Sequence, residues 1–172
     1  KENADLVALT IMNTNTAGLC GAIVVAIIMQ IMYKKLDLTM ILNGALGGLV
    51  AVTAGPDLYD IYTPILIGSV GGILVVIGVS FFDKLKIDDP VGALSVHLLN
   101  GIWGTVAVGL FASNGDDITL LGQLKGIIVV AIFAFVSSYI ILYIINKIMP
   151  LRAGNDEEMQ GLDVEECGIE AY

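Results

Sequence analysis

Five stretches of this chain, residues 4–33, 38–54, 61–82, 91–112 and 119–149, are apolar over lengths that approach or exceed a bilayer crossing. A hydrocarbon core of ~30 Å takes roughly 20 residues of helix. Inside that core each backbone amide and carbonyl must find its partner within the protein, which leaves helices as the natural solution for runs of this kind. The second stretch is the shortest. It is tilted, packed among its neighbours, or completed by the turn at Gly55-Pro56. With 56% hydrophobic residues and a mean hydropathy of +0.87, the chain is too apolar for a soluble bundle, and its helices lack the polar outer face such bundles carry. The sequence therefore predicts an all-α, polytopic helical membrane protein with about five transmembrane helices.

The formal net charge of −9 is concentrated at one end. After Arg152 come Asp156, Glu157, Glu158, Asp163, Glu165, Glu166 and Glu170, so the balance says little about the apolar part. The compositional boundary at Pro150 divides a transmembrane domain, 1–150, from an acidic tail, 151–172. Lys34, Lys35, Lys84, Lys86, Lys147 and Arg152 follow the first, third and fifth spans, while the opposite side holds Lys1 and Lys125. The richer side is cytoplasmic by the positive-inside rule. That makes the tail cytosolic and the first residues extracytoplasmic, with short outer turns at 55–60 and 113–117. An outside start with neither an initial methionine nor a signal pattern is expected of a piece of a longer membrane protein. Cys20, within a span, and Cys167, in the tail, do not suggest a disulfide.

Glycines punctuate the spans. Gly44-x-x-x-Gly48 and Gly68-x-x-x-Gly72 each put small residues on one helix face, where they let backbones approach closely or line a narrow path. Asn13, Thr14, Asn15, Thr16 and Asn43 are candidates for polar contacts between helices, and Trp103 for packing. The chain's one histidine, His97, lies inside the fourth span. Asp88-Asp89-Pro90 reads as the helix start, with Asp89 as the cap and Pro90 at the first helical position. Helical spacing then sets Pro90, Ala93, His97, Gly101, Gly104 and Val108 on one face, a narrow apolar groove holding one imidazole. Three readings of His97 stand. It is a buried histidine satisfied by a carbonyl or by an amide such as Asn100; a metal ligand, which the absence of other ligands at suitable spacing in a span disfavours; or a proton or substrate relay in a pore. A neutral ring offers one donor and one acceptor, which suits a small molecule that gives up a proton.

The run Asp88-Asp89-Pro90-Val91-Gly92-Ala93-Leu94-Ser95-Val96-His97, followed by Asn100-Gly101-Ile102-Trp103-Gly104, closely resembles the tenth helix of the Amt/Mep/Rh ammonium transporters. Asn13-Thr14, Asn43-Gly44-Ala45 and Gly48-Leu49-Val50 look like that family's seventh and eighth helices. Gly161-Leu162-Asp163 and Glu170-Ala171-Tyr172 resemble its cytosolic C-terminal region. The resemblance covers the whole chain. It implies helices seven to eleven of an eleven-helix inverted-repeat transporter in the cell membrane, assembled as a homotrimer with one hydrophobic pore per subunit. His97 matches the second of two pore histidines, whose partner belongs to the fifth helix, and Asn43, Leu46 and Ala93 match residues at the inner part of the pore. The implied substrates are ammonium or ammonia and methylammonium, and the implied partner is a PII-type protein at the cytosolic face. No enzyme activity, cofactor, metal or nucleic-acid partner is implied. An ammonium sensor on the same fold is the alternative. The chain departs from the family at Val91-Gly92-Ala93, which bears on how that helix is capped, and at Cys167, where a histidine is common.

Overall fold

A computed structural model describes residues 2–112 and 118–170, and all of its regular structure is helical. The order is α1 (Glu2–Tyr33), α2 (Leu38–Val52), α3 (Thr63–Lys84), a π-helical turn (Ala93–Leu98) running straight into α4 (Leu99–Phe111), α5 (Leu120–Ile148), α6 (Asn155–Gln160) and α7 (Leu162–Cys167). The outer turn expected at 113–117 lies outside the described residues.

Among the described residues, four helical stretches are long and apolar enough to cross a membrane: α1, α3, the π turn with α4, and α5. At 15 residues, or ~22 Å, α2 is shorter. It ends at Val52, where the Thr53 amide turns back to the Val50 carbonyl and the Thr53 hydroxyl donates to the carbonyl of Leu49 at 2.6 Å. Its shortness fits its place, because α1, α3 and α4 all pack against it.

The chain divides into two compact units, 1–127 and 128–172. In the first, Ala17 and Gly21 of α1 form the point of closest packing. A Cβ on Gly48 or on Gly68 would strike the carbonyl of Ala17. One on Gly44 or Gly72 would strike that of Gly21, at 2.9 and 2.6 Å. The small-residue faces of α2 and α3 thus meet the same two positions of α1, and close packing is what these four glycines provide. A second close approach joins Gly104 of α4 to the backbone at Ala51 of α2. Ala17, Ala51, Val52, Ile67, Ala107 and Val108 fill the middle of the bundle together with Tyr59, which reaches in from the α2–α3 connection.

Carboxylates organise the turns. Asp37 caps α2 by accepting the Met40 amide at 3.0 Å. Asp60 accepts the amides of Thr63 at 2.7 Å and Tyr62 at 3.0 Å at the start of α3. Hydrogen bonds from the Thr63 amide and hydroxyl, and then from the Tyr62 amide, hold the Asp60 carboxyl below its ordinary range. Asn13 of α1 donates to the carbonyls of Pro56 (2.8 Å) and Tyr59 (3.2 Å), tying the α2–α3 connection to the bundle.

In the second unit, Phe135, Tyr139 and Tyr143 stack along α5 with ring centroids 6.4 and 6.5 Å apart, and Lys147 lies over the Tyr143 ring. Arg152 reaches Glu158 through two nitrogens at 3.0 and 3.3 Å. Glu157 accepts the Gly154 amide at the start of α6.

Candidate functional site

The helix that carries His97 does not begin as its sequence suggests. Pro90 is in a turn, and Gly92, with φ +75°, precedes the first helical residue, Ala93. The first turn is π, not α. The Gly92 carbonyl accepts both the Val96 amide at 2.9 Å and the His97 amide at 3.2 Å, the latter five residues on. Asp89 still serves the helix start, but from a distance. One oxygen takes the Leu94 amide at 3.0 Å; the other takes the Ser95 amide at 2.9 Å and the Ser95 hydroxyl at 2.8 Å. These are donors that a helix start otherwise leaves unpaired. Partial burial pushes the Asp89 carboxyl up, but the hydrogen bonds from Leu94 and Ser95 outweigh it, and the net shift is downward. The stability this carboxylate contributes is therefore present above its ordinary value and fades only as pH falls through the lower, folded one.

The π turn changes which way His97 points. Counting about 100° per residue back from Gly101, an uninterrupted α-helix sets His97 about 40° from Gly101 and about 20° from Gly104. Of these two, Gly104 is buried against the bundle and Gly101 is open. The extra residue in the turn alters that angle, and His97 is exposed. Ala93 is exposed beside it, and a Cβ on Gly101 would meet no atom within 4 Å. The single groove expected from Pro90 to Val108 is thus divided. Ala93, His97 and Gly101 lie on the open side, while Gly104 and Val108 are packed. α2 touches the π turn and leaves Leu46 43% exposed and Asn43 half-buried.

Among the described residues the His97 imidazole has no hydrogen-bond partner. Asn100 does not supply one. It is fully buried against α2 and α3, where Cβ atoms on Gly47 and Gly71 would stand 3.0 Å from its amide nitrogen and oxygen, and neither of those atoms is hydrogen-bonded. The reading of His97 as a satisfied core residue does not fit this geometry. Trp103 packs, its indole nitrogen donating to the Ile67 carbonyl at 3.1 Å. Of the polar residues of α1, Asn13 makes the long-range contact, to a connection rather than a helix, and Asn15 bonds locally to Ile11. At the foot of the π turn, Val79, Phe82, Asp83, Lys86, Asp89 and Pro90 help line a cleft of ≈ 390 Å³. Among the described residues no three potential metal ligands converge.

The arrangement is an apolar surface with one imidazole standing free on it, held at a defined angle by a locked helix start. Sequence reasoning missed the π turn, Ser95 and Gly92. The available signal was a glycine three residues after Asp89 with a serine three residues further, a spacing that suits a carboxylate reaching over a turn.

Residues 1–172 match the model of the Ammonium Transporter Family. The chain is 33% identical to an ammonium transporter of Bacillus subtilis, covering 93% of this chain and 43% of that protein. It is 32% identical to the ammonium transporter Amt2 of Archaeoglobus fulgidus, over 93% of this chain and 38% of that one. The solved structure of a sensor Amt protein superposes on 94% of the chain and 42% of its own, with a TM-score of 0.83 and 30% identity. The chain thus spans about two fifths of the length of these relatives. On the match along its whole length and on the shared helical fold, the chain belongs to the ammonium transporter family.

Proposed function

We propose that this chain forms part of the wall of a narrow apolar pore that passes ammonia derived from ammonium, with Asn43, Leu46, Ala93 and His97 on the pore side. The observation that carries this reading is the free imidazole of His97 on an otherwise apolar, uncovered surface. An ammonium ion entering such a surface loses its hydration without a compensating charge, whereas neutral ammonia loses far less. A ring with one donor and one acceptor nitrogen accepts a hydrogen bond from ammonia or hands a proton onward. The family resemblance pairs this ring with a second pore histidine; this chain's sequence holds one histidine. Methylammonium is the expected analogue substrate.

The same resemblance, together with the lysine distribution, supports the rest of the reading. It comprises a multi-pass domain over 1–150, a cytosolic acidic tail over 151–172, an extracytoplasmic first residue, a homotrimer in the cell membrane, and a PII-type regulator docking on the cytosolic face.

The test is uptake of methylammonium by the full-length protein in liposomes. His97→Ala is expected to lower flux on the order of a hundredfold, the lower end of what a positioned proton-handling side chain contributes. Unchanged flux and selectivity would overturn the role of His97. The likeness to a sensor Amt protein favours a second reading, an ammonium sensor on this fold. Binding of ammonium without measurable flux in the wild-type protein selects it.

A further inference from the structure

We infer that the Asp89 carboxylate and the Ser95 hydroxyl form a clamp that sets the π register of the His97 helix, which makes Asp89 a positioning residue for the pore imidazole. The inference rests on the pore role proposed for His97 and adds what aims that ring.

Two helix starts compete for this segment. In the first, Asp89 is an ordinary cap, accepting an amide two or three residues into a helix that begins at Pro90. Pro90 suits that first position, since its missing N–H costs nothing there. In the second, the one observed, the chain loops over Pro90-Val91-Gly92 and the carboxylate takes Leu94 and Ser95 instead, five and six residues on. Three features hold the second start. Gly92 occupies a left-handed conformation, φ +75°, where a side chain is strained and a Cβ would stand 2.7 Å from Cγ2 of Val96. The Gly92 carbonyl is shared by two amides, which turns the ladder from α to π. The Ser95 hydroxyl, on a fully buried side chain, adds a third hydrogen bond to the carboxylate at 2.8 Å.

The clamp needs a group that only accepts. Both Asp89 oxygens face donors, so an amide in the same volume puts its NH₂ against the Leu94 N–H or against the Ser95 N–H and O–H. Without the clamp the first start is free to form. The α register then sets His97 at a different angle on the helix from the one observed. The consequence for transport is a ring at the wrong angle rather than a missing ring.

The experiment compares wild type, His97→Ala, Asp89→Asn and Ser95→Ala in the full-length protein. It reads methylammonium KM and maximal flux in liposomes, together with the ¹⁵N resonances of the His97 imidazole, identified by their loss in His97→Ala. Asp89→Asn and Ser95→Ala are expected to lower maximal flux by on the order of 10- to 100-fold, as small misplacements of a reacting group do, with KM nearly unchanged. Both are also expected to move the His97 resonances. A generally loosened protein gives less active material with His97 resonances in their original place, and that outcome overturns the clamp. So does wild-type flux in both variants while His97→Ala is impaired. If His97→Ala itself conducts normally, the pore role fails and the imidazole resonances alone decide the clamp: a shift in Ser95→Ala sustains it, and no shift overturns it. Should Asp89→Asn fail to fold, Ser95→Ala, which keeps the carboxylate and both amide bonds, decides between these outcomes.

Discussion

Asn100 and Trp103, three residues apart on α4, meet their neighbours in opposite ways. Trp103 gives its indole N–H to the Ile67 carbonyl, while both amide atoms of the buried Asn100 go without a hydrogen bond. A buried polar group is expensive when unmade bonds accompany it, and its removal is correspondingly cheap. Trp103→Phe is therefore expected to cost about 1–3 kcal/mol through the lost bond and the space left behind. Asn100→Ala should fall within about 1 kcal/mol of wild type, because relief from the unpaired amide offsets the cavity. Reversible unfolding in mixed micelles measures both, and a larger loss for Asn100→Ala than for Trp103→Phe would contradict this assignment. His97 was legible in the sequence as the lone imidazole of an apolar span. Its direction was not, because an aspartate before a proline signals an ordinary helix cap. Nothing in residue type announces that the carboxylate bonds instead to Leu94 and Ser95.

At the scale of the element, α1 is gripped at Ala17 and Gly21 by the small-residue faces of α2 and α3. The spans themselves were readable, since unbroken apolar runs of this length have few other uses, and their observed ends lie within a few residues of those expected. The glycine faces of α2 and α3 were readable as well. That both choose the same two positions of α1 was not, because Ala17-x-x-x-Gly21 is one of several small pairs in the chain. Gly48→Ala or Gly68→Ala sets a methyl against the Ala17 backbone, which cannot step aside as a side chain does. A loss of about 1–3 kcal/mol is expected, typical of overpacking. Gly126→Ala on α5, where a Cβ would meet nothing within 4 Å, should be neutral or stabilising by up to about 1 kcal/mol. Thermal midpoints of the three variants in one detergent provide the comparison, and equal midpoints would refute the wedge.

For the whole molecule, the first unit has a richly packed interior and apolar side chains exposed on each of its helices, and one of its bare surfaces carries Ala93, His97 and Gly101. Composition separates the apolar helices from the acidic tail. Family resemblance alone proposes a pore position for residues whose chemistry is ambiguous, such as Asn43 and Leu46. The bare surface became visible only in three dimensions, because it depends on how α2 and the π turn lie together. Gly101 stands on that surface with empty space where a side chain would be. If the surface bounds a conduit, this glycine is its gauge: each carbon added there narrows the bore without disturbing the packed interior behind it. Gly101→Ala, →Val and →Leu should therefore act as a graded sieve, with methylammonium passage failing at a smaller side chain than ammonia passage. Paired flux measurements across the series would trace the calibre of the channel one methyl group at a time.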